Sequence, residues 1–189
     1  MDYHKNSQLN KGFNLVEILL VIAIIGVGLF FVAGIYITHY KIFSNQNTSI
    51  NVTSQSKIAL DEITNQVREA QTIVSTCTGC GGDTTGASAL VLQLWRLDSN
   101  GDPDSSAYDY ITYTLASNQL VKKTVANPTS TRQNATKIIA TNISILSLTY
   151  NNADPTQSSE ITTTITSSST SGSKTYTATQ TGKSVLRNK

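Results

Sequence analysis

The chain has 189 residues, of which only 14% are charged, and a net charge of +2. With no basic helix or basic patch, that balance gives no ground for direct nucleic-acid binding. The only histidines are His4 and His39, so the stretch beyond residue 75 has none for acid–base or metal chemistry. It therefore holds no Ser-His-Asp or Cys-His set, and no Gly-rich phosphate loop follows a strand. The expectation is a protein that is not an enzyme.

Residues 1–11, MDYHKNSQLNK, are polar and carry Lys5 and Lys11. Positive charge ahead of an apolar run keeps that end cytoplasmic and sends the rest across the membrane; any generic cytosolic flank would give the same topology. The run follows at once. After Glu17, residues Ile18–Ile37 carry no charge, about 30 Å of helix and roughly one bilayer core. Glu17 sits at the edge of this run, in the first turn, where the helix dipole favours an anion. An acid at membrane depth is costly and marks a functional position whose partner must be found. Gly26, Gly28 and Gly34 permit close helix approach but form no GxxxG pair.

Residues 38–57 are polar and β-branched, poor helix formers, yet no Gly or Pro interrupts them and both flanks read as helix. Leu60, Ile63, Val67, Ala70 and Val74 then recur at spacings of three and four, a stripe that faces a core. The reading is one helix from about residue 14 to 75, with residues 13–37 in the membrane and 38–75 as its amphipathic continuation. Residues 76–189 offer room for one modest domain. Glycines 79, 81 and 82 end the helix. Among them lie the only two cysteines, Cys77 and Cys80. In an exported domain C-x-x-C suits a small disulfide-closed turn. Free thiols, a redox pair, or half of a zinc knuckle completed elsewhere stay open.

From residue 88 the period changes to that of strands. Candidates are Ala89–Leu97, Tyr108–Leu115, Gln119–Val125 after a turn at residues 116–118, Lys137–Tyr150 (best over Ile143–Tyr150), Glu160–Ser167 and Lys174–Leu186. The fold class is α+β, a long N-terminal helix packed on one antiparallel sheet of five or six strands. Between the first two strands, Asp98, Asn100, Asp102, Asp104 and Asp109 stand at positions 1, 3, 5, 7 and 12 of a loop, the ligand spacing of a calcium loop. Pro103 occupies the position where such a loop needs glycine, and an Asp/Asn/Gly/Pro turn explains the composition locally. Calcium is therefore a candidate cofactor, and a plain turn the alternative. Sequons at Asn47, Asn51, Asn134 and Asn142 arise readily in Ser/Thr/Asn-rich sequence.

Gly12-Phe13-Asn14-Leu15-Val16-Glu17 and the apolar run after it resemble the processing site of type IV prepilins and pseudopilins. Asn14 departs from the Thr common at its position. The resemblance is specific over residues 11–37 and only architectural beyond. Ser184-Val185-Leu186-Arg187-Asn188 and the strand–acidic loop–strand–turn–strand order are similar to the large minor subunits of the J/W type. The family implies a leader of residues 1–12 cleaved between Gly12 and Phe13 by a prepilin peptidase, and N-methylation of Phe13. It implies a pilin-like fold and assembly into a filament with other pilin or pseudopilin subunits, through a platform in the inner membrane. Glu17 would pair with the N-terminal amine of a neighbouring subunit. The implied location is the inner membrane, single-pass, and then a surface or envelope filament serving adhesion, secretion or DNA uptake. A signal anchor or secretory signal would not account for Gly-Phe-x-x-x-Glu. The alternative from another class is a membrane-tethered binding module with a Ser/Thr-rich, calcium-binding head.

Overall fold

A computed structural model of the chain describes residues 14–187. One helix, α1 (Leu15–Glu69), is followed by eight strands. Two units are distinguished along the chain, residues 1–44 and residues 45–189.

In the first unit, α1 begins at Asn14. Its carbonyl accepts from the backbone N–H groups of Glu17 (2.9 Å) and Ile18 (3.2 Å), and its side-chain Oδ1 lies 3.4 Å from the Val16 nitrogen. An asparagine at this position satisfies donors that a helix start leaves unpaired. From there to Phe43 the Leu, Ile, Val and Phe side chains are exposed.

In the second unit, residues 45–69 of α1 join two antiparallel sheets. The first contains β1 (Thr72–Ile73), β2 (Ala89–Leu97), β3 (Pro103–Ala116), β4 (Gln119–Val125) and β5 (Ala135–Thr141), in that spatial order. The second contains β6 (Ile143–Tyr150), β7 (Glu160–Ser171) and β8 (Lys174–Val185), also in chain order. A short 3-10 turn, Pro155–Gln157, lies between β6 and β7.

The α+β class is as expected, but the single sheet is corrected to two. The break falls inside the stretch read as one strand, residues 137–150. Asn142 adopts φ +60° there, a left-handed conformation that asparagine tolerates better than other side-chain-bearing residues. Its carbonyl accepts from Ser168 N–H at 2.8 Å, so the chain leaves β4 and pairs next with β7. Ser117 (φ +50°) and Asn118 (φ +60°) form the two-residue turn between β3 and β4, the geometry that matches strand twist in tight hairpins.

The helix also ends earlier than expected, at Glu69 and not near residue 75. Thr72 and Ile73 are β-branched and pair with Gln93 and Leu92 of β2. Gln71 N–H donates to the Gln93 carbonyl at 2.8 Å, and Val74 N–H to that of Val91 at 3.1 Å. The apolar spacing continues through the change of structure because Ala70 and Ile73 are both buried, which is why periodicity alone ran the helix on.

The core is shared. Ala59, Ile63 and Val67 of α1 lie among Leu90, Leu92, Ile111, Tyr113 and Leu120 of the first sheet and Ile143, Leu146, Ile161 and Ile165 of the second. Val52 and Ser56 extend the buried helical face toward the N-terminal side, and Ser167 Oγ of β7 donates to the Val52 carbonyl. The helix also packs against Gly182 of β8. A Cβ built there would lie 3.0 Å from Leu60 Cδ1 and 3.2 Å from Cδ2.

Gly182→Val is expected to force Leu60 out of its place and to destabilise the head by about 1–3 kcal/mol, as overpacking does. Thermal denaturation followed by circular dichroism checks it, and Leu60→Ala in the same chain should recover part of the loss.

Candidate functional site

The apolar part of α1 is long and apolar enough to cross a membrane. Glu17 lies in its first turn. Among the described residues Glu17 makes no ion pair. Gly12 and Phe13, the expected cleavage and methylation positions, lie outside the described residues. Around each of Gly26, Gly28 and Gly34 an added Cβ would meet nothing within 4 Å, so these glycines answer no packing demand among the described residues. Thr38 Oγ1 donates to the Gly34 carbonyl at 2.9 Å. Phe30, Phe31, Gly34, Ile35, Thr38 and His39 border an open groove of about 460 Å³ there.

In the head, two polar constellations fix the surface on the core. The first joins α1 to the first sheet. Lys122 Nζ of β4 lies 2.7 Å from Glu62 Oε1 and 2.8 Å from Gln66 Oε1. The Tyr113 hydroxyl donates to the same Glu62 oxygen at 3.0 Å. Burial works against the Glu62 charge, but the Lys122 hydrogen bond and charge and the Tyr113 hydroxyl outweigh it. They hold its carboxyl below the usual carboxylate range. Burial, then the Glu62 charge, push the Tyr113 phenol well up, so it remains a donor.

The second constellation is centred on Asp109 of β3, which is 0% exposed. Its Oδ2 lies 2.6 Å from Arg132 Nη1 and accepts from Ser130 Oγ at 2.8 Å; its Oδ1 accepts from Asn127 N–H at 2.7 Å. Arg132 also donates to the Trp95 carbonyl at 3.2 Å. One buried carboxylate thus pins the loop at residues 126–134 to the middle of β3, and Arg132 ties it to the end of β2.

The acidic loop is arranged differently from a calcium cage. Asp98 Oδ1 accepts from the backbone N–H groups of Asn100 (2.8 Å) and Asp102 (2.9 Å), with Gly101 at φ +86°. This is an Asx-type turn. Pro103 already belongs to β3, opposite Leu97. Asp104 faces Arg96 and accepts from Ser106 N–H at 2.8 Å; the Ser106 bonds first, then Arg96, hold its carboxyl below the usual range. Asp98, Asn100 and Asp102 thus share one turn, whereas Asp104 and Asp109 are engaged with Arg96 and Arg132. Among the described residues no three His, Cys, Asp or Glu side chains stand close enough to hold a metal ion. The spacing matched because sequence distance ignores the strand pairing that sends each acid to its own arginine or turn.

Cys77 and Cys80 are joined by a disulfide. The loop it closes is held from outside by Lys123 Nζ, which donates to the Gly79 carbonyl at 2.9 Å.

Arg132, Arg96 and the Glu62–Lys122 pair were not picked out from sequence. Asp109 carried a signal, since it shares the alternation of Ile111 and Tyr113 and so points inward with them. Its arginine lies 23 positions on in an irregular loop, where no periodicity applies.

No protein-family model matches the chain, and no curated protein sequence matches it. What the fold defines is an architecture: one long apolar N-terminal helix followed by antiparallel sheets, which is pilin-like.

Asp109→Ala is expected to lower stability by about 1–3 kcal/mol, because it removes the buried acceptor of Arg132, Ser130 and the Asn127 N–H; urea denaturation checks it. Glu62 gives a prediction in pH. Its folded-state pKa is depressed, so its contribution is complete above the ordinary carboxylate range and is lost as pH falls through the folded value. Glu62→Gln should cost only about 1 kcal/mol near neutrality, since the group is partly solvated. It should also lessen the fall in melting temperature expected of the unaltered chain below pH 4.5.

Proposed function

We propose that the chain is a structural subunit, a minor pilin or pseudopilin, of a type IV pilus-like filament. In this reading prepilin peptidase removes residues 1–12, the new amine of Phe13 is methylated, and residues 13–37 pack with neighbouring subunits into a filament core. The observation that carries the reading is the apolar segment of α1. Its large side chains are exposed on every side of the helix, yet it begins with a carboxylate that makes no ion pair among the described residues.

A lipid surface would cover the apolar side chains but would not favour Glu17. A neighbouring subunit's amine supplies the opposite charge, and the attraction is strong in a low-dielectric surrounding. The small residues Gly26, Gly28 and Gly34 suit helices that approach closely. The head then stands as the presented surface, and no catalytic role is assigned to it. Such a subunit initiates or caps assembly for adhesion, secretion or DNA uptake. A tethered binding module would share the helix and the head but would keep residues 1–12 and be indifferent to Glu17.

Intact-mass and N-terminal analysis of the protein from a host with an active prepilin peptidase tests the proposal. A chain beginning at Phe13 with one methyl group on its amine is expected, and Glu17→Leu should then be processed normally but fail to enter filaments. A chain still beginning at Met1 would overturn it and leave the tethered module.

A further inference from the structure

One side of the head carries a groove of about 480 Å³ lined by Arg68, Glu69, Trp95, Pro103, Arg132 and Arg187. That volume lies within the range of small-molecule sites. Its three guanidinium groups differ in what they already hold. Arg132 is committed to the buried Asp109. Arg68 and Arg187 are exposed and make no ion pair among the described residues. Arg68 sits in the last turn of α1, where the helix dipole favours a cation; nothing comparable accounts for Arg187. Its place is nonetheless fixed, because the preceding Leu186 is buried in the core and its N–H donates to the Ser159 carbonyl at 2.9 Å.

The remaining wall is flat and partly apolar. Trp95 stacks on Tyr108 with ring centroids 5.0 Å apart and planes 23° apart, and Pro103 continues the surface. Glu69 adds one carboxylate, held by Gln66 Nε2 at 2.9 Å.

These groups together ask for a particular ligand. Two unpaired guanidiniums favour a carboxylate, which the planar fork can take with two parallel hydrogen bonds. Glu69 would repel a ligand that is only anionic, such as a phosphate or an acidic peptide, but accepts hydrogen bonds from hydroxyl groups. The Trp95–Pro103 wall suits the apolar face of a ring. We propose that this groove binds a carboxylated sugar ring of an acidic polysaccharide, of the uronic-acid type. Arg68 and Arg187 hold the carboxylate, Glu69 receives sugar hydroxyls, and Trp95 packs on the ring. The inference does not depend on whether the chain assembles into filaments.

Trp95 is the only tryptophan, so its fluorescence reports directly on the groove. The full chain in detergent micelles is titrated with α-1,4-linked trigalacturonate. A saturable change is expected, weakened at least about tenfold in the Arg68→Gln/Arg187→Gln double variant, as loss of charge-assisted hydrogen bonds implies. Maltotriose, which lacks the carboxylates, should bind at least about tenfold more weakly for the same reason. Glu69→Gln should weaken trigalacturonate while strengthening pentaglutamate.

No saturation, equal affinity for maltotriose, unchanged binding by the double variant, or pentaglutamate binding as tightly as trigalacturonate would each overturn the proposal. The last would assign the groove to acidic protein segments. Circular dichroism confirms that the double variant is folded. If it is not, Arg68→Lys/Arg187→Lys carries the test, since charge without the planar fork should still weaken binding several-fold.

Discussion

The contact that the head depends on is the burial of one face of α1, from Val52 to Val67, against both sheets. Neither sheet closes on itself, and the second has only three strands. A sheet of that size needs an apolar face covered before it is stable alone. The helix supplies that cover to both. The side chains it inserts alternate in size, the small Ser56 and Ala59 beside the larger Val52, Ile63 and Val67. Gly182 is the reciprocal concession on the sheet, a missing side chain where Leu60 comes nearest.

Polar groups near this core are handled by pairing and not by exclusion. Lys122, Glu62, Gln66 and Tyr113 form a closed set at one margin of the helix. A buried charge without a partner would cost several kcal/mol, and Asp109 avoids this with two backbone-fixed hydroxyl and amide donors besides its arginine. The result is that an irregular, Pro- and Thr-containing loop is tied to β3 at three points. That loop and the end of β2 are joined again by Thr131 N–H donating to the Leu97 carbonyl at 3.0 Å.

Much of this was legible in the sequence because it is periodic. The apolar run after Glu17, the three-and-four spacing of Leu60, Ile63 and Val67, and the alternation in residues 89–97 and 119–125 each follow from local geometry, and the elements lie where those patterns put them. What could not be read depends on single residues or on distant pairs. A positive φ at Asn142 turns one apparent strand into two that belong to different sheets. Thr72 and Ile73 are extended because β2 offers them a partner, not because their own spacing demands it. The acids of residues 98–109 looked like a set only because spacing was all there was to compare. Once the fold brings in Arg96 and Arg132, Asp104 pairs with the first and Asp109 with the second, while Asp98 caps its own turn. The groove residues Arg68, Trp95 and Arg187 come from a helix end, a strand and the segment after the last strand, a combination that no local pattern announces.

The order of strands has a consequence for how the head is made. In both sheets every strand pairs with its neighbour in the chain, and no strand must be inserted between two already formed. Contacts between sequence neighbours close small loops and form quickly, whereas pairings between distant segments slow folding. The sheets can therefore be laid down hairpin by hairpin from β2 onward, with Asn142 marking where one meander stops and the next starts. The docking of the helix, and the seam where Leu148 N–H of β6 donates to the Ala87 carbonyl at 2.8 Å, join distant parts of the sequence. A chain released progressively, in either direction, would at no stage need a later strand to open a gap in an earlier one.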